Sequence, residues 1–104
     1  MDIFHGNDNV FEVKGLVDND GVFLNAAVVT ARILDRQFVE VIAAGYAAQT
    51  LVYVAASSGN YRKDVDKGVT DNIPEGIYFV EWTAAEGGKD YKFWDDVRIG
   101  KRLS

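Results

Sequence analysis

The chain has 104 residues, a formal charge of −5 and no cysteine. This length is enough for one domain, residues 1–104, with a core that needs no disulfide. The negative charge argues against nucleic-acid binding, because phosphate contacts require clustered Lys and Arg. We expect neither a membrane span nor a signal peptide, since no apolar run approaches twenty residues and the start, M-D-I-F-H-G-N, has no basic or apolar segment.

The chain opens with an arm, residues 1–7, in which the apolar pair Ile3 and Phe4 predicts a brief edge strand. Seven longer strands follow, each rich in alternating apolar, β-branched or aromatic residues and bounded by turn formers. In chain order they cover residues 10–16, 26–35, 37–43, 50–56, 61–65, 77–84 and 91–99. Residues 44–49 are predicted as a loop, either a helical turn or an irregular crossover.

The strongest strand signal is I-P-E-G-I-Y-F-V-E-W-T at residues 73–83. Pro74 fixes φ and Gly76 permits a positive φ, so a tight turn is expected directly before the strand. The strand places Trp82 on the face that we expect to be buried. The predicted core consists of Trp82, Tyr78, Val80, Val29 and Ile33.

Surplus apolar residues lie outside this predicted core. Ile77 and Phe79 fall on the opposite face of the strand that carries Trp82, and Ile3 and Phe4 lie on the arm. Exposed apolar groups of this kind are liabilities unless another surface covers them. We therefore predict that these four residues contribute to a protein interface.

These elements predict an all-β fold, an antiparallel two-sheet β-sandwich of seven to eight strands. A small closed barrel is the alternative architecture. The adjacent Asp95 and Asp96 in the last strand suggest charges that blunt a sheet edge.

The sequence offers few groups for chemistry. Asp18 and Asp20 in D-N-D-G could be ligands of a weak calcium site, but the spacing lacks further ligands and also suits a hairpin turn, which we favour. His5 is the single histidine, and we expect an exposed or interface position for it. With no cysteine and no Gly-x-Ser-x-Gly turn, we expect no enzyme, no metal site and no cofactor.

Five aromatic residues could instead form a sugar-binding platform, although core packing is the simpler role for most of them. They are Tyr46, Tyr53, Tyr61, Tyr91 and Trp94.

Several short motifs follow one another in a characteristic order along most of the chain. They are I-F-H-G-N-D-N-V-F-E-V-K-G-L, D-N-D-G, L-N-A-A followed by V-V-T-A-R-I-L-D, S-S-G-N-Y-R, and P-E-G-I-Y-F-V-E-W-T-A-A-E-G-G. In this order the chain resembles small immunoglobulin-like structural or assembly proteins of tailed bacteriophages and prophages. The resemblance implies that the antiparallel β-sandwich is immunoglobulin-like, and it carries over no catalytic residues.

The resemblance implies a component of a head, neck or tail that contacts other virion proteins or itself, as a homo-oligomer. Its location would be the bacterial cytoplasm during assembly and then the virion. The alternative function is a stand-alone immunoglobulin-like adhesion or carbohydrate-binding module, which would use exposed aromatic residues and a calcium-stiffened loop.

Overall fold

The computed structural model describes residues 1–41 and 48–103. In this part of the chain it contains seven β-strands and one short helix, so the all-β prediction is confirmed. The elements are β1 (Asp2–Phe4), β2 (Asn9–Val13), β3 (Val28–Leu34), β4 (Gln49–Tyr53), β5 (Tyr61–Val65), α1 (Lys67–Thr70), β6 (Gly76–Glu86) and β7 (Lys89–Gly100).

All seven strands belong to one sheet, in the order β1-β7-β6-β3-β4-β5-β2. Neighbouring strands are antiparallel except for β1 and β7, which are parallel, with Ile3 opposite Ile99. The prediction of a wholly antiparallel sheet is therefore wrong. The reason is that the arm does not form a hairpin with β2, because the turn after Phe4 carries the chain to the other edge of the sheet.

The sheet curls until it is nearly barrel-shaped. Strand β4 joins its two halves, because Gln49 to Leu51 pair with β3 while Val52 and Tyr53 pair with β5. The curl brings β2 over β6, where the rings of Phe11 and Trp82 meet edge to face with centroids 6.2 Å apart. The core lies inside this curl.

The predicted core residues lie in this interior. Trp82 is 3% exposed, and Val29, Ile33 and Val80 have no exposed surface. Tyr78 is half-buried and packs against the same cluster, while its hydroxyl donates to the Pro74 carbonyl oxygen at 2.7 Å.

The predicted strand at 37–43 is only partly present where the structure describes it. Residues 35–39 form a turn, because Oδ1 of Asp35 accepts the N–H groups of Gln37 at 2.9 Å and Val39 at 3.0 Å. After this turn, Glu40 makes an isolated antiparallel bridge with Leu34 at the end of β3. A short acidic side chain that bonds the local backbone competes with strand pairing in this way. Residues 42–43, and most of the predicted loop at 44–49, lie outside the described residues.

The approach to β6 also differs from the prediction. The polar connection before it contains α1, whose first turn is capped by Oδ1 of Asp66 accepting from the Gly68 N–H at 2.8 Å. Gly76 is already the first residue of β6 and does not have a positive φ. The turn is therefore made by the helix and the segment after it rather than by Gly76.

A buried asparagine joins the two edges of the sheet. Oδ1 of Asn9 accepts the Phe4 N–H at 3.2 Å, and Nδ2 donates to the Asn7 carbonyl and to Oγ1 of Thr70. His5, half-buried beside it, donates from Nε2 to the Ile73 carbonyl oxygen at 2.7 Å. The arm is thereby fixed to β2 and to the connection before β6.

Gly59 lies where two backbone segments cross at close range. Its carbonyl accepts the Leu16 N–H at 2.9 Å, and its N–H donates to Oδ1 of Asn25 at 2.8 Å. Its φ is +71°, and a Cβ atom at this position would lie 2.5 Å from the Leu16 carbonyl oxygen. Only glycine fits here without moving the Leu16 backbone.

We expect Gly59→Ala to destabilise the fold much more than Gly21→Ala, measured as the free energy of unfolding in urea. Gly21 has a φ of +80° and open space within 4 Å of the position that a Cβ atom would take, so alanine there costs only the left-handed backbone energy, about 1–2 kcal/mol. At Gly59 the contact with Leu16 adds about 1–3 kcal/mol. Equal losses for the two variants would show that the crossing is not tight.

Candidate functional site

The strands β1, β7, β6 and β3 share one face that points away from the core, and we call it the outer face. Strand pairing defines its rows: Arg32, Glu81 and Trp94 lie side by side across β3, β6 and β7. The strand residues on this face are Asp2, Phe4, Val28, Thr30, Arg32, Leu34, Ile77, Phe79, Glu81, Thr83, Ala85, Asp90, Lys92, Trp94, Asp96 and Arg98.

Three of the four predicted interface residues lie on the outer face, namely Phe4, Ile77 and Phe79. Ile77 is 49% exposed, and the other two are half-buried. Ile3 is different, because the alternation of β1 turns it inward and leaves it with no exposed surface. Ile3 therefore belongs to the core of its own chain and is not available to a partner.

The turn at residues 35–39 extends the outer face with an aromatic cluster. The ring of Phe38 stacks on that of Phe79 with centroids 4.6 Å apart and planes within 6° of parallel. The guanidinium of Arg36 lies 4.3 Å from the centroid of the Phe79 ring. Phe38 is nevertheless 57% exposed, so the stack presents a large apolar surface to the outside.

Phe38 adopts a backbone conformation that normally suits glycine, with a φ of +62°. The same turn occurs at residues 18–22, where Asp18 makes the same four hydrogen bonds and the fourth position is Gly21. A non-glycine residue in this region costs about 1–2 kcal/mol. At this position the turn at residues 18–22 has a glycine, whereas the turn at residues 35–39 has a strained and exposed phenylalanine.

A buried carboxylate organises the centre of the outer face. Glu81 is 6% exposed, although it points away from the core. Its Oε1 accepts from Nε of Arg32 at 2.6 Å, and its Oε2 accepts from the indole N–H of Trp94 at 3.0 Å. Arg32 also lies 3.5 Å from a carboxylate oxygen of Glu40. These contacts fix the indole of Trp94, which remains 48% exposed.

The hydrogen bond from Arg32 lowers the pKa of Glu81, and the indole N–H and the nearby Lys92 ammonium act in the same direction, against the effect of burial. The same hydrogen bond raises the pKa of Arg32. The pair is therefore ionised at neutral pH. Burial, with a smaller contribution from Asp35, raises the pKa of Tyr78.

The two metal candidates, Asp18 and Asp20, lie in the turn at residues 18–22. Oδ1 of Asp18 accepts the N–H groups of Asp20 at 2.8 Å and Val22 at 3.0 Å, so it serves the turn. Among the described residues, no group of three or more His, Cys, Asp or Glu side chains could hold a metal ion.

The aromatic residues considered for sugar binding are dispersed. Tyr61 is buried, with its hydroxyl donating to the Leu24 carbonyl, and Tyr53 and Tyr91 are half-buried. Tyr46 lies outside the described residues. Trp94 alone of the described four is exposed on the outer face.

Within the described ranges, no helix has the length and apolarity that a membrane crossing requires. Comparison of the chain with family models, with curated proteins and with solved structures finds no match.

We expect Glu81→Gln to lower the free energy of unfolding at pH 7 by about 1–3 kcal/mol, because a buried charge-assisted hydrogen bond is lost. Since the folded-state pKa of Glu81 is lowered, its contribution is present above the unfolded-state value, about 4.3, and is lost as pH falls through the folded-state value. Urea unfolding of both proteins from pH 7 to pH 3 measures this difference, which should shrink toward zero at the acidic end. A constant difference over this range would contradict the assignment.

Proposed function

We propose that this protein is a non-catalytic structural or assembly subunit that acts through protein contacts made by its outer face. The observation that carries the proposal is Phe38, an exposed aromatic residue kept in a strained turn and stacked on Phe79. Backbone strain of this kind persists where the surrounding structure enforces it and where function uses the side chain.

The composition of the outer face supports a protein partner. Exposed aromatic and apolar side chains, Phe38, Ile77 and Trp94, lie among arginines, which is the composition that distinguishes protein interfaces from other surface. Basic side chains, Arg32, Arg36, Lys92 and Arg98, lie on or beside this face together with acidic ones, Asp2, Glu81, Asp90 and Asp96. Charged groups of both signs therefore surround the exposed apolar side chains, as in the polar rim of a protein interface.

We further propose that the curled sheet is an immunoglobulin-like sandwich. Two pairing groups support this, β7-β6-β3 on one side and β5-β2 on the other, with β4 passing between them. A second supporting feature is Tyr78, near the start of β6, whose hydroxyl bonds the backbone of Pro74 four residues upstream. This is the geometry of the tyrosine corner in immunoglobulin-like domains.

The place of action that we propose is the virion of a tailed phage or prophage, in the head, neck or tail. This step rests on the ordered motifs of the sequence, and the outer face supplies the kind of surface that such a subunit needs.

Carbohydrate binding is the second candidate function, and Trp94 is the observation that favours it. Its indole is held by Glu81 through the ring nitrogen at 3.0 Å, yet nearly half of the side chain is exposed. A fixed, exposed indole face can stack on a sugar ring. Because Trp82 is buried, a change in tryptophan emission on titration with oligosaccharides would report on Trp94.

The test of the assembly role uses two outer-face variants in a host that produces tailed particles carrying this chain. Phe38→Gly removes the ring but suits the turn, as Gly21 shows, and Ile77→Lys places a charge on the face. Val10→Lys is the matched control, because Val10 is similarly exposed but lies on β2, away from the outer face.

We expect mass spectrometry to find the chain in purified particles, and both outer-face variants to lower the yield of infectious particles at least about tenfold while Val10→Lys does not. Urea unfolding should confirm that Phe38→Gly retains its stability, since relief of strain offsets the lost stacking. Particles without the chain, or normal yields from both variants, would argue against an assembly role. A specific oligosaccharide response with normal yields would favour the second candidate.

A further inference from the structure

One edge of β7 is open along most of its length. β7 pairs with β6 from Lys89 to Ile99, but on its other side β1 covers only Arg98 to Gly100. In the described part of the chain, no strand pairs with this edge between Lys89 and Val97. An uncovered strand edge presents unpaired backbone donors and acceptors to any other strand.

The hydrogen bonds to β1 identify which backbone groups point toward the open edge. The N–H of Arg98 donates to the Met1 carbonyl at 3.1 Å, and the Asp96 carbonyl accepts from the Met1 ammonium group at 3.2 Å. Because backbone groups alternate along a strand, those of Trp94, Lys92 and Asp90 point the same way. All three residues are exposed.

The edge is bounded at both ends. Met1 and β1 block it from Asp96 onward, and the turn at Gly87 and Gly88 ends the strand at the other side. Asp95 and Asp96, which the sequence suggested as edge-blunting charges, lie at the blocked end. The open stretch is thus long enough for a short strand and is too short for an extended ladder.

We propose that this edge pairs with the same edge of a second copy of the chain, antiparallel and with the twofold axis at Tyr91. In this register Lys92 of each copy lies opposite Asp90 of the other, and each pair exchanges two backbone hydrogen bonds. This pairing goes beyond the proposed function, because it uses the backbone edge of β7 and a second copy of the chain, with Asp90 and Lys92 at the margin of the outer face, rather than a different protein bound on that face.

Charge selects this register among those that keep edge-facing residues opposite each other. A shift of the axis to Lys92 places two lysines opposite each other, and a shift to Asp90 does the same with two aspartates. Like charges directly opposite on neighbouring strands are destabilising, whereas opposite charges stabilise the pair. Shifts beyond Lys92 bring the second strand into the Met1 position.

A negative cavity beside the edge favours the same arrangement. Asp18, Asn19 and Asp20 face Lys89, Asp90 and Tyr91 across an open cavity of about 310 Å³. In the proposed register Lys92 of the second copy reaches Asp90 at the border of this cavity. Its ammonium group then lies near three carboxylates, with Lys89 and, diagonally across the axis, Lys92 of the first copy as the nearby like charges.

A charge exchange tests the pairing. We expect Asp90→Lys and Lys92→Asp each to raise the dimer dissociation constant about tenfold or more, because each places like charges opposite each other twice. The double variant restores opposite charges and should return the dissociation constant to near that of the parent. Sedimentation equilibrium at low salt over a concentration series measures the constants, with Lys63→Asp on the exposed part of β5 as the control for net charge.

Amide hydrogen exchange adds a readout that a structural role alone would not change. The N–H groups of Asp90 and Lys92 should exchange more slowly as protein concentration rises, while those of Tyr91 and Phe93, which face β6, are slow at every concentration. A parent that stays monomeric to millimolar concentration, or a dimer indifferent to both single variants, overturns the proposal. Phe38→Gly should leave the dimer intact. The experiment can therefore contradict the dimer without contradicting the proposed protein contacts of the outer face.

Discussion

The fold depends on β6 being paired along both edges while both of its faces carry large apolar side chains. β3 occupies one edge and β7 the other, so the strand cannot leave the middle of the sheet. Its inner face, with Val80 and Trp82, builds the core. Its other face carries Ile77 and Phe79 and lies outside the core. These side chains are covered only in part, by the turn at residues 35–39 and by the side chains of β7.

Charged groups as well as apolar contacts cover the outer face of β6. Glu81 takes the central position and is shielded by Arg32 and Trp94, so a carboxylate is buried on the side of a sheet that points outward. Burial of a charge is unfavourable unless hydrogen bonds satisfy it, and here both carboxylate oxygens have a donor. The consequence is a surface whose aromatic groups are held in place before any partner arrives.

Local alternation made much of the sheet predictable. The strand at Tyr61–Val65 has the predicted bounds, and the face of β6 that carries Trp82 is buried as expected. Errors arose where one side chain overrides the local pattern. The apolar run after Asp35 reads as a strand, but two backbone hydrogen bonds to its carboxylate make a turn. The turn has a signal in the sequence, because D-R-Q-F-V at residues 35–39 has the same first and last residues as D-N-D-G-V at residues 18–22, which makes the same turn.

The parallel pairing of the arm, the burial of Ile3 and the role of Glu81 could not be read from the sequence, because each depends on contacts between distant residues.

These distant contacts also constrain the order of folding. Among the described strands, β1 comes first and β7 last, so during synthesis Ile3 has no contact with Ile99 until the residues between them have been made. Contacts of such long sequence separation form late and slowly. The apolar arm therefore remains uncovered on the nascent chain for as long as the residues between Ile3 and Ile99 are being made.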